Sequence, residues 1–441
     1  MIDIKLLREN PDLFYDSCKA RGFDTKILDQ FFQLDEKWRE KLKTVNHLKH
    51  EKNTLSLEVS ESVKAGRDPS DIKEKVREIN TQIGTIESEQ KDIDESRTKI
   101  VRLIPNLLDS EVPHCMTEDE AVLVKTWGKA RVFQDDLDYF NKASNGMDYQ
   151  LLDNRPASHV DLMQDLGLVD LERAAKTSGA RFYYMKNRLV KLELALVNYA
   201  IDFLSERGFE VVEPPFMLNY KAMEGATDVE TFKDTLYKIE GEDLYLISTA
   251  EHPLAAFFQD EILEESALPI RLAGMSPCFR KEAGSHGKDT KGIFRVHQFT
   301  KIEQFIYCRP EDSWDFFSEL VKNSEDMFRN LDLPYRVVNI CSGDLGNLAA
   351  RKFDIEAWFP SQGKFREVVS ASNDTDYQAR SLNVRYRTKG GSKFVHTLNS
   401  TAVATTRTLV AIMENYQLKN EKGFQVPKVL VPYTGFETIT L

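Results

Sequence analysis

The sequence predicts an α+β protein: an N-terminal antiparallel two-helix coiled-coil arm, followed by a domain in which strand and helix patterns mix. Three observations predict this fold class. Apolar residues recur at heptad spacing up to residue 104, a helical stripe runs directly into a strand before Pro214, and side chains alternate with a period of two around Phe299.

The arm is predicted from two heptad stripes. Six of the nine stripe positions between Leu34 and Ser62 are apolar, and eight of the ten positions between Ile72 and Ile104 are Ile or Val. Gly66 can end the first helix, and Asp68 with Pro69 at the first helical position can begin the second. Because so short a connection makes the helices antiparallel neighbours, we expect an arm of about 45–57 Å.

The stripes leave the role of the arm open between an oligomerisation coil and an element that reaches a large partner. Residues 27–64 carry seven basic and seven acidic side chains, so any attraction to phosphate must be local. Four lysines could supply it: Lys41, Lys43, Lys49 and Lys52.

Composition excludes several classes of protein. The 441 residues carry a net charge of −12, which rules out a basic field over the whole surface for non-specific nucleic-acid binding. There is no apolar run of about 20 residues and no apolar segment near the N-terminus, so we expect no membrane span and a cytoplasmic location. The five cysteines form no Cys-x-x-Cys pair, and we expect them to be reduced and buried, without a zinc site.

The second domain begins after Pro105, Pro113 and an acidic stretch. A helical stripe from Leu189 to Phe203 ends at Gly208, and a strand follows until Pro214 and Pro215 stop it. The Gly-rich loops of P-loop and Rossmann nucleotide sites do not occur.

The segment from Cys278 to Cys308 holds the richest candidate chemistry. Its centre, residues 284–292, is rich in Gly and Lys, as a hairpin loop would be. On its second flank the even positions from Phe294 to Ile306 are predicted to face a core. The odd positions then form one polar face, which could be solvated or could bind a ligand: Arg295, His297, Phe299, Lys301 and Glu303. An aromatic ring in the middle of that face favours ligand binding.

Two further segments carry candidate residues. Glu367 and Ser370 point to opposite faces of an ideal strand, so joint action requires a bulge or a strand end there. Asn399 and Arg407 are eight residues apart in a predicted helix, which would place them on roughly the same side.

Long strings in this chain resemble those of the seryl-tRNA synthetases, which are class II aminoacyl-tRNA synthetases, in their common form without zinc. The strings are DLERAAKTSGARFYYMKN, FRKEAGSHGKDTKGIFRVHQFTKIEQ and HTLNSTAVATTRTLVAIMENYQ, beside the helix-Gly-strand-Pro pattern that ends at Pro215. The resemblance implies a tRNA-binding arm over residues 1–108. It implies a class II catalytic domain over residues 109–441, built on an antiparallel sheet flanked by helices.

The resemblance also implies a site for ATP as a substrate. Arg280 would hold the α-phosphate and the amino-acid carboxylate, Phe299 would stack on adenine, and Arg407 would hold the γ-phosphate. Glu367 and Ser370 would bind Mg²⁺, which prefers oxygen ligands. Arg280, Arg407 and Glu367 would be the catalytic residues, and further ATP contacts are implied for Lys281, Glu282, Val296, Val368 and Val369.

Serine would lie in a pocket that the resemblance places beside Arg280. The triplet Thr249-Ala250-Glu251 would bind it together with Glu303, the two carboxylates suiting an ammonium group and a hydroxyl. Asn399 and Thr401 would complete the hydroxyl pocket. The chain departs from the family pattern at Glu224-Gly225-Ala226, where a Gly-Thr-Gly stretch is usual, at His252 and at Asn187.

The expected activity is ATP-dependent activation of L-serine to seryl-adenylate and transfer of serine to tRNA(Ser), by a homodimer that makes no membrane contact. Two alternatives remain. One is a ligase of the same fold that charges a carrier protein, and the other is a non-catalytic coiled-coil binding protein on a synthetase scaffold.

Overall fold

The computed structural model describes residues 1–229, 233–282, 289, 291–419 and 421–441. The chain divides into two compact units, Met1–Pro105 and Asn106–Leu441. The first unit contains helices only among its regular elements, and the second mixes helices with strands. The predicted α+β fold class is therefore confirmed.

The first unit contains the predicted pair of long helices. Two short helices, Ile4–Glu9 and Pro11–Ala20, precede the long helices Lys26–Lys64 and Ser70–Leu103. Every position of both predicted stripes is buried or half-buried. Lys41 Nζ lies 2.5 Å from Glu89 and Lys49 Nζ lies 2.8 Å from Glu87, so the chain directions of the two helices oppose each other.

A buried charge cluster joins three helices of this unit. Asp35 Oδ1 accepts hydrogen bonds from Arg8 Nη2 at 2.5 Å and from Arg97 Nη1 at 2.8 Å, and the Asp35 side chain is 1% exposed. The Arg97 guanidinium also stacks 4.1 Å from the centroid of Trp38. Trp38 and Arg97 both occupy stripe positions, so the interface between the two long helices is polar as well as apolar at this point.

The connection between the long helices follows the prediction with one shift. Gly66 has a φ of 68°, which favours glycine. The Asp68 carboxylate accepts hydrogen bonds from the backbone N–H of Ser70 at 3.0 Å and from its hydroxyl at 2.6 Å. The second helix begins at Ser70, so Pro69 lies just before the first helical position.

The strands of the second unit are numbered here in chain order. They are β1 Val122–Trp127, β2 Lys129–Phe133, β3 Asp148–Leu152, β4 Val169–Asp170, β5 Tyr184–Met185, β6 Glu210–Val212, β7 Met217–Leu218, β8 Tyr245–Leu246, β9 Ile262–Leu263, β10 Ile270–Phe279, β11 Gln298–Cys308, β12 Tyr335–Asn339, β13 Arg351–Phe359, β14 Lys364–Thr375, β15 Arg385–Thr388, β16 Gly391–Phe394, β17 His396–Ala404, β18 Gly423–Gln425 and β19 Thr438–Thr440.

The α-helices described in this unit vary from one turn to five turns. They are Leu137–Ser144, His159–Asp165, Leu171–Ser178, Arg188–Ser205, Tyr220–Ala226, Glu251–Ala255, Ser313–Asn330, Tyr377–Leu382, Thr405–Asn415 and Val431–Thr434. Within the described ranges, no helix is both long enough and apolar enough to cross a lipid bilayer.

Eight of the described strands form one sheet in the order β1-β12-β13-β14-β17-β11-β10-β6. Each neighbouring pair is antiparallel except β10 with β6. Helix Arg188–Ser205 packs on the sheet through the predicted stripe, of which Leu189, Leu192 and Leu196 are fully buried. Two apolar clusters cover strand β11: Ile302 and Ile306 lie in one, Phe305 and Tyr307 in the other.

The expectation of five reduced cysteines is wrong for two of them. Cys115 and Cys341 form a disulfide with a Cα–Cα distance of 4.9 Å, although they are 226 residues apart. Pairing of β1 with β12 brings the flanking segments together, and the backbone N–H of Gly343 donates to the Cys115 carbonyl at 3.0 Å. Cys18, Cys278 and Cys308 are free and buried, as expected.

Candidate active site

Four adjacent strands in the middle of the sheet position most of the candidate residues. Glu367 and Ser370 lie on β14, Asn399 and Thr401 on its neighbour β17, and Glu303 on β11. Arg280 directly follows β10, the next strand in the sheet. The topology thus gathers residues that are up to 121 positions apart in the sequence, since 401 − 280 = 121.

A glycine lets the turn at Thr249 lie on this sheet. Gly274 is the register partner of Glu303 on β10, and a Cβ there would be 2.7 Å from Leu254 Cδ1 and 3.0 Å from Ala250 Cβ. Such contacts are closer than packed carbon atoms allow. With glycine in place, Thr249 Oγ1 approaches to 3.4 Å from Glu303 Oε2 and can donate to it.

Thr401 lies on the other side of Glu303, as its register partner on β17. Directly paired residues on antiparallel strands project from the same face. Glu303 and Thr401 are 1% and 7% exposed, and Thr249 is equally buried. These three side chains therefore form a small buried polar cluster.

Glu251 begins the helix that follows this turn, and its backbone N–H donates to Thr249 Oγ1 at 3.1 Å. Burial raises the pKa of Glu251 to about 7, and the nearby Glu303 carboxylate adds to the rise. Lys301 and Arg280 oppose it with positive charge. Glu251 is therefore a carboxyl that changes charge near neutral pH.

Lys301 is a site residue to which the sequence reasoning assigned no role. It is 6% exposed, and its ammonium forms an ion pair with the Glu303 carboxylate. Its position two residues before Glu303 on one strand places both on the same face. The sequence shows that alternation, but it does not show that Lys301 is buried.

Asp374 is a second missed residue. It is 1% exposed and accepts a hydrogen bond from Asn399 Nδ2 at 2.9 Å. Burial raises its pKa well above the ordinary value, and the charge of Glu251 raises it further. Asp374, Asn399 and Glu251 line a cavity of about 210 Å³. The alternation of Ser370, Ser372 and Asp374 along β14 is the signal that could have identified it.

Arg280 lies between this pocket and an aromatic ring. Its guanidinium is 5.2 Å from the centroid of Phe299, and its Nε donates to the Ser248 carbonyl at 3.3 Å. Arg280, Phe299 and Val296 line one narrow cleft together with Arg407. The Arg280 cation, the Phe299 ring and Val296 therefore lie next to one another in this cleft.

The residues after Arg280 turn away from the strand. Lys281 Nζ lies 5.6 Å from the ring centroid of Tyr237, so it leaves the cleft. Glu282 has a φ of 53° and pairs with Arg295. Most of the predicted loop 284–292 lies outside the described residues, which include only 289, 291 and 292 of it.

The predicted alternation on the second flank is only partly right. Strand β11 begins at Gln298, so Arg295 and His297 precede it. All residues from Lys301 to Cys308 are buried, on both faces. The reason is tertiary, because an apolar cluster packs on each side of the strand and the polar pair Lys301–Glu303 is covered as well.

Of the two possibilities, a bulge or a strand end, the structure has a bulge between Glu367 and Ser370. Ile355 pairs with Val369 and Glu356 pairs with Glu367, so Val368 is an extra residue on β14. Val368 and Val369 are consecutive and both buried, whereas Glu367 and Ser370 are both half-exposed. The bulge therefore brings Glu367 and Ser370 to the same accessible face.

Arg407 neutralises Glu367. Its Nη1 lies 3.2 Å from Glu367 Oε1 and donates to the Glu367 carbonyl at 3.1 Å. Burial alone would raise the pKa of Glu367, but Arg407, Lys352 and Arg280 outweigh it and lower that pKa to about 2. Glu367 and Arg407 line a polar groove of about 450 Å³ with Arg366.

The prediction that Asn399 and Arg407 share a helix is wrong. Asn399 lies on strand β17, which continues to Ala404, and Arg407 lies in the helix Thr405–Asn415. The run of β-branched and small residues from Ser400 to Thr406 fits either structure, and sheet pairing with β11 and β14 decides it. As a result Asn399 faces the cavity at Glu251, and Arg407 faces the groove at Glu367.

The residues at the bulge fit a magnesium ion that is shared with a phosphate group. Glu367 stays ionised, and Ser370 adds a hydroxyl oxygen. In the part of the chain that the structure describes, no group of three His, Cys, Asp or Glu side chains could hold a metal ion. Mg²⁺ typically takes one or two protein oxygens and fills its other positions with phosphates and water.

The site therefore offers a sequence of complementary charges. Carboxylates at Glu251 and Glu303 suit an ammonium group, Arg280 suits a carboxylate or phosphate, and Arg407 suits a further phosphate. Phe299 offers a ring face in the cleft that both cations line. Such an array can align an amino acid with a nucleoside triphosphate.

Two family models match the chain. The model described as the seryl-tRNA synthetase N-terminal domain matches residues 1–108, and the class II tRNA synthetase core domain (G, H, P, S and T) matches residues 232–416. The chain is 65% identical to the serine--tRNA ligase of Picrophilus torridus and 60% identical to that of Thermoplasma volcanium. Each alignment covers 100% of this chain and 99% of the relative.

Solved structures are similar over the whole length. A crystal structure of seryl-tRNA synthetase from Pyrococcus horikoshii complexed with ATP has a TM-score of 0.96 at 50% identity and covers 100% of this chain and 99% of that one. The cytoplasmic serine-tRNA ligase of Naegleria fowleri in complex with AMP has a TM-score of 0.86 at 40% identity, with the same coverage.

Proposed function

The chain belongs to the seryl-tRNA synthetase family, and from that premise we propose which of its residues activate L-serine with ATP and transfer it to tRNA(Ser). The observation that carries the proposal is the approach of Glu251, Glu303 and Arg280 to one another, with Phe299 and Arg407 next to Arg280. Serine and ATP would lie end to end along this line.

Serine is held by the pocket on strands β11 and β17. Glu251 binds its ammonium group, and the enclosed group of Thr249, Glu303 and Thr401 accepts and donates hydrogen bonds at its hydroxyl. Alanine would leave these buried polar groups without a partner, which is how a site that binds a hydroxyl rejects the analogue lacking it. Asn399 keeps the far wall in place through Asp374, and Ala250 keeps the turn close to Gly274.

Activation joins the serine carboxylate to the α-phosphorus of ATP. A carboxylate oxygen forms the new P–O bond, and the bond to the β-phosphate oxygen breaks, so pyrophosphate leaves. Arg280 neutralises charge where carboxylate and α-phosphate meet, Phe299 stacks on adenine beside the Val296 backbone, and Arg407 holds the γ-phosphate. Such a step needs alignment and charge neutralisation more than a protein acid or base.

Glu367 and Ser370 would hold Mg²⁺, which supplies charge neutralisation on the phosphates when it is bound. Val368 and Val369 support this pair from the buried side of the bulge. Lys281 is proposed as a weaker ATP contact, because it lies beside Tyr237. Glu282 pairs with Arg295 and lines the same cleft as Arg280, which supports its role as an ATP contact.

Transfer completes the reaction when a terminal ribose hydroxyl of the tRNA attacks the seryl carbonyl and AMP leaves. We propose that the arm, residues 1–108, grips the tRNA, and that residues 109–441 form the catalytic domain. The two long helices share a single packing interface, so the distal half of the pair buries little. Lys43 is exposed near the middle of the first long helix. Lys41 and Lys49 are less available, because each pairs with a glutamate of the opposite helix.

A homodimer and a cytoplasmic location are also part of the proposal. Class II synthetases build a subunit interface from the segment corresponding here to the helix before Gly208 and the strand ending at Pro214. A location beside the other components of translation fits an enzyme that supplies charged tRNA.

Serine-dependent ATP–pyrophosphate exchange tests the activation step, and charging of total tRNA tests the transfer step. We expect exchange with serine and not with alanine or threonine, followed by serine bound to tRNA. Exchange with another amino acid alone would contradict the substrate assignment. Serine delivered to a carrier protein instead of tRNA would replace the transfer step, and failure of the folded protein to bind ATP in calorimetry would leave a binding protein.

Replacing residues 30–100 with a short Gly-rich linker tests the arm. We expect exchange to stay within about threefold of the full chain, because none of the proposed serine or ATP contacts lies in the deleted segment. tRNA charging should fall at least about a hundredfold through loss of the contact that holds the tRNA. Unaltered charging would show that the arm is not the element that grips tRNA.

A further inference from the structure

The Gln378 side chain connects three elements around the serine pocket. It is fully buried in the helix Tyr377–Leu382. Its Nε2 donates to Glu251 Oε1 at 2.8 Å and to the carbonyl of Ala226 at 3.0 Å. Its Oε1 accepts from the hydroxyl of Thr397 at 2.9 Å.

These contacts fix which end of the amide faces Glu251. Both hydrogens of Nε2 are used, one on a carbonyl and one on a carboxylate, and Oε1 has a hydroxyl donor. Turning the amide over would set its oxygen against two acceptors, the Ala226 carbonyl and the Glu251 carboxylate. In a fully buried position such a mismatch is costly, so the amide holds one orientation.

We propose that Gln378 is a positioning residue for serine binding, which holds the Glu251 carboxylate in its binding geometry and charge state and ties it to the end of the helix Tyr220–Ala226. This inference rests on the proposed role of Glu251. A carboxylate that must receive the serine ammonium needs an orientation that is set before serine arrives, because freedom lost on binding reduces affinity.

The charges around Glu251 explain why a neutral donor is needed there. Burial and, after it, the Glu303 carboxylate on β11 disfavour a negative charge at Glu251, and the charge of Glu251 in turn raises the pKa of Asp374 on β14. Lys301 on β11 and Arg280 after β10 oppose these effects at Glu251, but Lys301 is already paired with Glu303. Gln378 adds a hydrogen bond that favours the ionised form without adding a charge that would compete with the serine ammonium.

The link to Ala226 extends the role of Gln378 to the segment in which this chain departs from the family pattern. Leu382 lies in the same helix as Gln378, and Gly225 packs directly against it. A side chain at position 225 would therefore collide with Leu382. Gln378 and Leu382, four residues apart, therefore hold Ala226 and Gly225 from one helix face. Gln378 therefore links the segment Glu224-Gly225-Ala226, where the chain departs from the family pattern, to the orientation of Glu251.

The test is Gln378→Met, which keeps length and removes the donors, assayed by pyrophosphate exchange in the full-length protein. We expect the serine KM to rise roughly tenfold to a hundredfold while the ATP KM stays unchanged. The pH below which serine binding weakens should move upward, because Glu251 loses a bond to its ionised form. A merely structural role would not move that pH.

Gln304→Met is the matched control. Gln304 is also fully buried, and its Nε2 donates to Ser324 Oγ at 3.0 Å, with no bond to Glu251. This control should keep the wild-type pH midpoint for serine even if it lowers stability. An unchanged serine KM and pH profile in Gln378→Met, or equal rises in the serine and ATP KM values, would overturn the inference. Absence of serine-dependent exchange in the wild-type protein would instead contradict the proposed function.

Discussion

Different kinds of contact stabilise the arm and the active site. In the arm, the residues that pack together repeat every three or four positions along two helices, and the partners Lys41–Glu89 and Asp35–Arg97 follow from the register of one hairpin. In the active site, Thr249, Glu303 and Thr401 come from three distant segments, and only sheet pairing makes them neighbours.

A structure built from local repeats can therefore be predicted from its sequence, whereas the geometry of an active site depends on the topology of the sheet. A single substitution in the arm removes one layer of a repeated seam. A single substitution in the site removes a charge that several other residues were placed to balance, as at Glu251 and Glu367. Variants of the two regions should therefore separate stability from activity.

Arg280→Ala should separate the two regions most strongly. Removing the cation between serine and the α-phosphate should lower serine-dependent exchange about a thousandfold, because charge that develops there loses its stabilising partner. Thermal unfolding of the arm should not change. Arg271→Ala, also at strand β10 and paired with Glu319 at 2.9 Å, is the control and should keep full exchange activity. Similar losses in both variants would show a general effect on the strand.

Asp35→Ala should have the opposite effect, on the arm alone. It leaves Arg8 and Arg97 without their buried partner, which should cost about 3–5 kcal/mol of unfolding free energy. Denaturant unfolding monitored by Trp38 fluorescence measures it. Asp94→Ala removes an exposed partner of Arg97 and should cost less than about 1 kcal/mol. A large loss of exchange in Asp35→Ala would contradict the separation of the regions.

The pH dependence of this cluster has a definite sign. Burial would raise the pKa of Asp35, but hydrogen bonds and charge from Arg8 and Arg97 outweigh it and lower that pKa below the usual value. The resulting stabilisation is present above the ordinary pKa of aspartate and is lost as the pH falls through the lowered one. The stability difference between wild type and Asp35→Ala should therefore shrink in acid.

Reduction of the Cys115–Cys341 disulfide should destabilise the catalytic unit and not the arm. Because the bond closes a segment of 226 residues, its loss should cost about 2–4 kcal/mol. Thermal unfolding with and without a reducing agent measures this cost. The Cys115→Ser variant should unfold like the reduced protein and respond no further to the reducing agent. An equal response in wild type and variant would mean that the reducing agent acts elsewhere.

The smallest expected effect is the pH dependence of serine binding. Since the pKa of Glu251 is about 7, the carboxylate that receives the ammonium is lost as the pH falls below that value. The serine KM should rise about fivefold from pH 7 to pH 6, with the ATP KM as the internal control. A serine KM that stays flat over this range would contradict the role given to Glu251.

Particular elements show which features of the structure could be predicted from the sequence. The heptad stripes and the helix from Leu189 to Phe203 were predictable, because each depends on neighbours within a few residues. The bulge at Val368 was only one of two possibilities, because it depends on pairing with strand β13. The placement of Asn399 and Arg407 in one helix was wrong, because small and β-branched residues fit both structures until strands β11 and β14 pair with that segment. Asp374 could have been found from the alternation along β14, whereas Gln378 and the Cys115–Cys341 bond gave no local signal strong enough to assign them.

The sequence by itself determined the helix pair, the strand segments and the residue types available for phosphate, carboxylate and ammonium groups, because side-chain spacing and propensity act over short distances. The tertiary structure alone decided that Lys301 and Glu303 are buried together, that Gly274 admits the Thr249 turn, and that Gln378 meets Glu251. Those outcomes depend on desolvation and on strand order, and both exist only once distant parts of the chain have packed.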